Sequence, residues 1–227
     1  MPTALITGAN RGIGKALVAE FLNQAWRVIA CCRQPDAEDF RGLPNSNKLV
    51  IRQLDVTDPA QISALAKSCE SDQIDILLNV AGIFGPSGIR FGDTPVDPWL
   101  EVFRVNSIAP LKLTEALIEP ICRSQHKLVA AISSEMGSMQ NNEWGNAYLY
   151  RSSKAALNSV IKSLSIDLKD RSVTAIAIHP GWVKTDMGGK DAEISAQHSA
   201  SGIFKLLNRN SLKSGGFYDY QGDELPW

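Results

Sequence analysis

The sequence has almost no net charge, few aromatic residues and no long apolar segment. Its 23 Lys and Arg residues nearly balance 24 Asp and Glu residues, and aromatic residues make up 7% of the 227 positions. Binding to nucleic acid or to an anionic membrane surface requires a basic field, and base stacking requires aromatic side chains. The composition therefore argues against both kinds of partner. A membrane-spanning helix, which needs about 20 apolar residues, is also not expected.

Disulfide patterns, metal-ligand clusters and a secretory leader are missing as well. Met1-Pro2-Thr3 leads directly into an apolar segment without a basic region, so we expect a cytoplasmic protein. No C-x-x-C pair occurs, and reduced thiols are expected for Cys31, Cys32, Cys69 and Cys122. No metal site is expected from the scattered histidines His126, His179 and His198.

Apolar strand-like segments alternate with helix-like segments along the chain, whose length suits one domain. Continuous apolar strands separated by helices indicate a parallel sheet covered on both faces, as in the doubly wound, Rossmann-type α/β fold. Asp58-Pro59 and Asp97-Pro98 each predict a helix start. Strands are expected at 3–7, 26–32, 48–54, 74–78, 127–132 and 173–178, with an edge strand at 217–220. Helices are expected at 12–24, 58–68, 97–121, 148–169 and 194–207.

A glycine-rich turn follows the first strand and opens the first helix. Glycine lets a chain turn sharply and lets its backbone approach a pyrophosphate, while a helix N-terminus offers free N–H groups and a positive dipole end. The alternative to a phosphate-binding role is an ordinary tight turn. The strand–turn–helix context favours a dinucleotide site, with candidate contacts at Gly8, Asn10, Arg11, Gly12, Ile13 and Gly14.

The end of the second strand bears on the choice of cofactor. An NAD enzyme usually carries an acidic residue about 20 positions after the glycines, to bind the ribose 2′-hydroxyl. Here the strand ends in Arg33, and both Arg33 and Arg11 have the planar fork that suits a 2′-phosphate. NADP(H) is therefore favoured over NAD(H). Asp36 and Glu38 follow closely and keep the alternative open, as does simple solvation of the two arginines.

Tyr150 and Lys154 lie four residues apart and so share one face of a predicted helix. A free tyrosine has a pKa near 10, and an ammonium group one turn away favours the phenolate and lowers that pKa. Such a pair predicts a tyrosine that works as a general acid or base. Chance also produces this spacing in many helices.

Two further polar positions are candidates. Ser134 ends the fifth strand, where its hydroxyl can bind a substrate carbonyl or simply cap a turn. Pro110 has no N–H, so the usual helical hydrogen bond to the carbonyl of Asn106 cannot form. A kink is expected there, with the Asn106 carbonyl free to bind a relay water.

Taken in order, these segments resemble the short-chain dehydrogenase/reductase family along essentially the whole chain. The matches are the turn 7–14, Asp55-Val56, Asn79 to Gly82, Asn106, Ser134, Tyr150 with Lys154, and Pro180-Gly181 with Thr185. Segments 150–158 and 217–227 resemble the C-factor/sniffer-like branch of carbonyl reductases. The resemblance implies one NAD(P)-binding catalytic domain over residues 1–227. It also implies reduction of a small-molecule carbonyl with NADPH, or oxidation of the alcohol, by a homodimer or homotetramer.

The resemblance also implies roles for individual residues. Tyr150 would be the general acid, Lys154 would bind the nicotinamide ribose and lower the pKa of Tyr150, and Ser134 would hold the substrate carbonyl. Asn106 would bind the relay water. Asp55 and Val56 would contact the adenine. The remaining implied cofactor contacts are Asn79, Ala81, Gly82, Pro180, Gly181, Val183 and Thr185.

Several points stay open. Val80 stands where the family more often has Asn, and the sixteen-residue step from Ser134 to Tyr150 is long for the family, so Ser138 is an alternative to Ser134. A signalling protein of the C-factor type and an oxidising enzyme for a sterol or lipid alcohol are alternative functions. Two roles are possible for the apolar side chains in the loops, namely lining a substrate pocket or packing of the loops. These residues are Phe84, Met136, Met139, Trp144 and Trp182.

Overall fold

Seven parallel strands form one sheet in the order β3-β2-β1-β4-β5-β6-β7. The structure, a computed structural model, describes residues 1–209 and 212–227, with residues 37 and 38 described by their backbone alone. The strands are β1 Thr3–Thr7, β2 Arg27–Cys32, β3 Leu49–Gln53, β4 Ile76–Asn79, β5 Leu128–Ile132, β6 Thr174–His179 and β7 Phe217–Asp219. Each predicted strand is confirmed, with ends that differ by at most two residues. β7 is the expected edge strand and pairs in parallel with β6.

Helices cover both faces of the sheet. They are α1 Gly12–Asn23, α2 Pro59–Ser68, α3 Val96–Phe103, α4 Ala109–Cys122, α5 Tyr148–Asp167 and α6 Ala196–Leu207. Side chains of α1 and α6 pack on one face, and those of α2, α4 and α5 pack on the other. Neighbouring strand residues serve opposite faces, since Ile6 joins the first cluster and Leu5 joins the second. The fold is the predicted single-domain, doubly wound α/β architecture.

The two predicted Asp-Pro helix starts have different outcomes. Asp58 caps α2 as expected, because its side chain accepts hydrogen bonds from the N–H groups of Ala60 and Gln61. The prediction of an Asp97 cap is wrong, since α3 begins at Val96 after Pro95 and has no side-chain cap. Asp97 instead lies in the first turn, where its negative charge interacts favourably with the positive end of the helix dipole.

The kink expected before Pro110 takes the form of a π-helical segment, Arg104–Ile108, between α3 and α4. Its last hydrogen bond runs from the Ala109 N–H to the Arg104 carbonyl, five residues back. The wider turn accommodates a proline that cannot donate to the carbonyl of Asn106. The chain therefore continues as helix through a position that would otherwise break it.

The strand order changes direction at β1, which lies between β2 and β4. The Thr7 hydroxyl fixes this junction by accepting hydrogen bonds from the N–H groups of Val80 and Ala81, at 3.0 and 3.1 Å. In open α/β sheets, ligands bind beyond the carboxyl ends of the strands at such a point. In the part of the chain that the structure describes, no helix meets the length and apolarity that crossing a membrane requires.

Candidate active site

A cavity of about 790 Å³ opens at the carboxyl ends of the strands. This volume is within the range of small-molecule and cofactor sites. Most predicted site residues line its wall: Gly8, Asn10, Arg11, Gly12, Ile13, Gly14, Arg33, Asp55, Val56, Ala81, Gly82, Ser134, Tyr150, Lys154, Pro180, Gly181, Val183 and Thr185. Asn79 and Asn106 are buried and do not form part of that wall.

One end of the cavity is the glycine turn and the start of α1. Arg11 is the N-cap residue in extended backbone, and no side chain caps the helix, so the N–H groups of its first turn have no intrahelical partner. A Cβ at Gly14 would overlap the Gly8 carbonyl oxygen, and one at Gly8 would lie 2.9 Å from the Ala81 Cα. The close backbone packing therefore requires glycine at both positions, and it leaves a cradle of N–H groups that fits phosphate oxygens.

The loop after β6 folds over this cradle. Gly181 has a φ of +81°, and a side chain there would collide with Ile194. The Thr185 hydroxyl accepts a hydrogen bond from the Gly188 N–H at 3.1 Å, and a Cβ at Gly12 would lie 3.3 Å from the Thr185 Cγ2. The loop thus places Thr185 next to the glycine turn and Val183 on the cavity wall.

Two arginines and two carboxylates surround the mouth near β2. Arg33 is exposed at the end of β2, and Arg11 pairs with Asp186 at 3.3 Å. Asn10 Nδ2 donates a hydrogen bond to Asp39 Oδ2 at 3.2 Å. Sequence reasoning missed both carboxylates, because Asp186 is distant in the chain and a 3₁₀ turn after β2 brings Asp39 back towards the glycine turn. The Glu38 side chain, part of the NAD alternative, lies outside the described residues.

Asp55 and Asn79 are polar groups at the ends of β3 and β4. Asp55 Oδ1 accepts hydrogen bonds from the Thr57 N–H and hydroxyl, at 2.9 and 2.7 Å, and these bonds lower the pKa of the carboxyl. Asn79 is 3% exposed, and among the described residues neither its Oδ1 nor its Nδ2 has a hydrogen-bond partner. Burial of an unpaired amide is costly. Such a group beside the cavity fits a site that receives a polar ligand.

Ser134, Tyr150 and Lys154 all line the cavity. Tyr150 is 9% exposed and lies close to Ser134, whose hydroxyl acts to lower the pKa of the tyrosine, while Lys154 Nζ donates a hydrogen bond to the Ile132 carbonyl at 2.7 Å. The lysine nitrogen lies 5.6 Å from the centre of the Tyr150 ring. The end of β5 and helix α5 are therefore held together next to the reacting groups.

The pKa of Tyr150 differs from the sequence-based expectation. Burial raises this pKa to about 12, against a smaller lowering by the Ser134 hydrogen bond. Burial also lowers the pKa of Lys154 to about 7. A lysine that is partly neutral at pH 7 supplies less positive charge, so the predicted lowering of the tyrosine pKa by Lys154 does not occur in this structure.

Ser134 and Ser138, the two alternatives left open by the sequence, have different surroundings. Ser134 lines the cavity and also accepts a hydrogen bond from the Met136 N–H at 3.1 Å, so it is a turn cap as well. Ser138 Oγ instead donates to the Trp227 carbonyl oxygen at 3.2 Å and accepts from the Asn141 N–H at 3.1 Å. The geometry favours Ser134 as the hydroxyl at the cavity and gives Ser138 a structural contact.

A buried hydrogen bond that sequence reasoning missed lies behind Ser134. Ser133 Oγ donates to Asn158 Oδ1 at 2.6 Å. Asn158 is four residues after Lys154 and so lies on the same face of α5, which is the sequence signal that could have located it. This bond joins the end of β5 to α5 next to the reacting groups.

Asn106 acts through the main chain beside the cavity. It is fully buried, accepts a hydrogen bond from the Ile83 N–H at 2.9 Å and donates to the Ile83 carbonyl at 2.8 Å. Its Nδ2 also donates to Ser153 Oγ at 3.0 Å, and that hydroxyl donates to the Tyr150 carbonyl. Asn106 therefore links the loop after β4 to the tyrosine helix.

The apolar loop residues divide between the two roles considered. Phe84, Met136 and Trp182 line the cavity. Met139 and Trp144 are 75% and 83% exposed and do not line it. The Phe84 ring stacks on the Tyr150 ring, with 4.8 Å between centroids and 29° between planes.

The family follows from comparison with known proteins. A sequence model of the short chain dehydrogenase family matches residues 2–195. The chain belongs to this family. Among curated short chain dehydrogenase relatives, the C-signal protein of Myxococcus xanthus is 39% identical over 165 residues, which cover 72% of this chain and 99% of that protein.

Solved structures support the same assignment. The NADPH-bound carbonyl reductase from chicken fatty liver superposes with a TM-score of 0.92 and 33% identity, over 100% of this chain and 99% of that one. Carbonyl reductase Sniffer of D. melanogaster superposes with a TM-score of 0.92 and 31% identity, over 100% of both chains. The predicted resemblance and the predicted fold of this short chain dehydrogenase are confirmed.

Proposed function

We propose that the protein reduces the carbonyl group of a small ketone or aldehyde to an alcohol with NADPH, using residues 1–227 as one catalytic domain. The observation that carries the proposal is that one cavity is lined both by Ser134, Tyr150 and Lys154 and by the uncapped start of α1. Similarity to an NADPH-bound carbonyl reductase agrees with this reaction.

The cofactor's phosphates would bind the glycine turn, and its 2′-phosphate would bind Arg33 and Arg11. Asp55 and Val56 would contact the adenine, and Val183 and Thr185 the carboxamide. The backbone around the cofactor would be supplied by Asn79, Ala81, Gly82, Pro180 and Gly181. When bound, a nicotinamide cofactor supplies the hydride.

The chain's own residues would handle the substrate oxygen and its proton. Ser134 Oγ would donate a hydrogen bond to the carbonyl oxygen and orient it. The Tyr150 hydroxyl would transfer its proton to that oxygen, and its raised pKa keeps it protonated at neutral pH. Lys154, with a pKa of about 7, is suited to exchange protons near neutral pH and to return one to Tyr150. The Asn106 carbonyl would hold the relay water that connects this path to solvent.

Cofactor preference is tested by calorimetric titration with NADPH and NADH. We expect NADPH to bind more tightly than NADH. The Arg33→Ala variant should lose about tenfold or more in affinity for NADPH but little in affinity for NADH, because it removes a charge-assisted hydrogen bond to the 2′-phosphate. Arg52→Ala removes the same charge from an exposed position on the neighbouring strand and is the control. Preference for NADH, or equal losses in both variants, would contradict the assignment.

Catalysis is tested with Tyr150→Phe, which keeps the ring and removes the proton. Against a panel of aldehydes and ketones, we expect kcat to fall by about 10² to 10⁴, the range for a general acid. NADPH affinity should stay within a few-fold of wild type. Undiminished turnover in this variant would exclude Tyr150 as the acid, and no wild-type turnover across the panel would exclude carbonyl reduction.

A signalling function is the second candidate, and the similarity to the C-signal protein favours it. In that case cofactor turnover would be incidental. A strain lacking the gene separates the two possibilities when it is complemented with Tyr150→Phe. Full restoration of the phenotype by a variant that binds NADPH but does not turn over would favour signalling, and failure to restore would favour catalysis.

We also propose a cytoplasmic homodimer or homotetramer. Four free cysteine thiols suit a reducing compartment. Apolar side chains on the long helices are exposed and would suit a two-fold interface, such as Leu100 at 52% and Ile166 at 64%. Light scattering on wild type and Ile166→Glu is the test, with dissociation of the variant as the expected result.

A further inference from the structure

A second, smaller cavity of about 190 Å³ lies beside the first. It is bounded by the loop at 84–89 and the first turn of α5 at 147–150. Phe84 and Tyr150 line both cavities, so their stacked rings form the shared wall. The small cavity therefore borders the residue proposed to protonate the substrate.

The lining of the small cavity favours an apolar group. All eight of its wall residues are uncharged, and Phe84, Pro86, Ile89, Ala147 and Leu149 among them are apolar. An apolar cavity of about 150 Å³ in another protein binds benzene. A volume of about 190 Å³ is thus sufficient for one six-membered ring.

The Phe84 side chain can move while its backbone stays in place. It is 38% exposed, whereas the preceding residue Ile83 is fixed by Asn106 through both main-chain groups. Rotation about the side-chain bonds of Phe84 therefore changes the shared wall without displacing the loop. A substituent that enters from the large cavity would pack against this ring.

We propose that the small cavity binds an apolar substituent of the substrate, up to the size of one six-membered ring, and that Phe84 is the residue that sets this size limit. The inference rests on the proposed carbonyl reduction for the identity of the substrate. Loss of the Phe84 ring joins the two cavities. It also removes the aromatic face against which a single ring packs.

The first test compares kcat/KM for butanone, acetophenone and 2-acetylnaphthalene. We expect wild type to prefer acetophenone over 2-acetylnaphthalene at least tenfold, and Phe84→Ala to reduce that preference at least tenfold. Phe91→Ala removes an 89% exposed ring from the same loop and should keep the wild-type ratio. A ratio in Phe84→Ala within twofold of wild type overturns the proposal. If Phe84→Ala does not fold, Phe84→Leu should give an intermediate ratio.

The second test does not depend on turnover. Benzyl alcohol, added without cofactor, should shift the backbone amide NMR signals of Ile89 and Leu149, and ethanol should not. Binding should weaken several-fold in Phe84→Ala and stay unchanged in Phe91→Ala. If benzyl alcohol shifts these signals but no carbonyl is reduced, the proposed function fails and the binding site stands. If carbonyls are reduced but these signals do not respond, the binding site fails alone.

Discussion

The side chain of Asn106 hydrogen-bonds both the N–H and the carbonyl of Ile83, 23 residues earlier in the chain. The π-helical turn around Asn106 rotates this residue into the interior, where it is fully buried. One amide thus fixes the backbone that carries Gly82 and Phe84 past the reacting groups. Its importance follows from geometry rather than from contact with the cavity.

Replacement of Asn106 by Leu should cost about 2–4 kcal/mol of unfolding free energy, because it removes the buried hydrogen bond to Ser153 and leaves the half-buried N–H and carbonyl of Ile83 unpaired. Urea unfolding measures this loss. Asn208→Leu is the matched control, since Asn208 is exposed at the end of α6 and its side chain donates a hydrogen bond to the Phe204 carbonyl. A loss below about 1 kcal/mol in Asn106→Leu would show that water satisfies those groups.

The Ser133–Asn158 hydrogen bond should appear as coupling in a double-mutant cycle. Ser133→Ala and Asn158→Ala each break the same 2.6 Å bond, so their effects on unfolding free energy should fall short of additivity by about 1 kcal/mol. The control is the same cycle with Ser159, which is exposed, and Asn158; there the two effects on unfolding free energy should be additive. Additivity between Ser133 and Asn158 would contradict a role for this bond in joining β5 to α5.

Replacement of Ala147 by glycine should raise the stability of the protein. It precedes α5 with φ 45° and ψ 40°, in the left-handed region that costs a side chain about 1–2 kcal/mol. After the entropy cost of glycine, Ala147→Gly should stabilise the protein by about 0.5 kcal/mol. Ala156→Gly, in the middle of α5, should instead lose about 1 kcal/mol. Thermal unfolding of both variants measures the difference, and a loss in both would exclude strain at Ala147.

Lys154 should make stability rise with pH above neutrality. Its pKa is lowered from 10.5 to about 7 in the folded protein. At a pH between these two pKa values, the unfolded chain still binds a proton that the folded chain has released, so the free energy of unfolding increases with pH. From pH 7 to 9, wild type should gain on the order of 1–2 kcal/mol relative to Lys154→Met. Urea unfolding at pH 7, 8 and 9 measures this gain, and equal slopes for the two proteins would contradict a buried, partly neutral lysine.

The sequence was informative where one local pattern decides the structure. Continuous apolar runs located the strands to within two residues, and the glycine spacing identified the turn at the cavity. The Asp97 cap was misplaced because Pro95, whose ring fixes φ at a value that suits the extended N-cap backbone, takes the cap position two residues earlier. Neither Asp39 nor Asp186 could be assigned to the site, because loop geometry brings them there.

The ionisation of Tyr150 lay further beyond sequence reasoning. Its spacing from Lys154 predicted a lowered pKa, whereas the burial of both groups gives the opposite direction. Burial depends on the whole fold, including the Phe84 ring that covers the tyrosine. The small cavity likewise depends on a left-handed backbone at Asn146 and Ala147, for which the local sequence gives little signal.

The bonds from Val80 and Ala81 to the Thr7 hydroxyl span more than 70 residues of chain. Contacts of such long range form slowly during folding, because a large loop must close first. The glycine turn lies at the start of this loop, and the serine, tyrosine and lysine lie after it. A chain that has folded only its first half therefore has a phosphate cradle without a proton donor. Complete ligand binding would become possible only when the two halves of the sheet have joined.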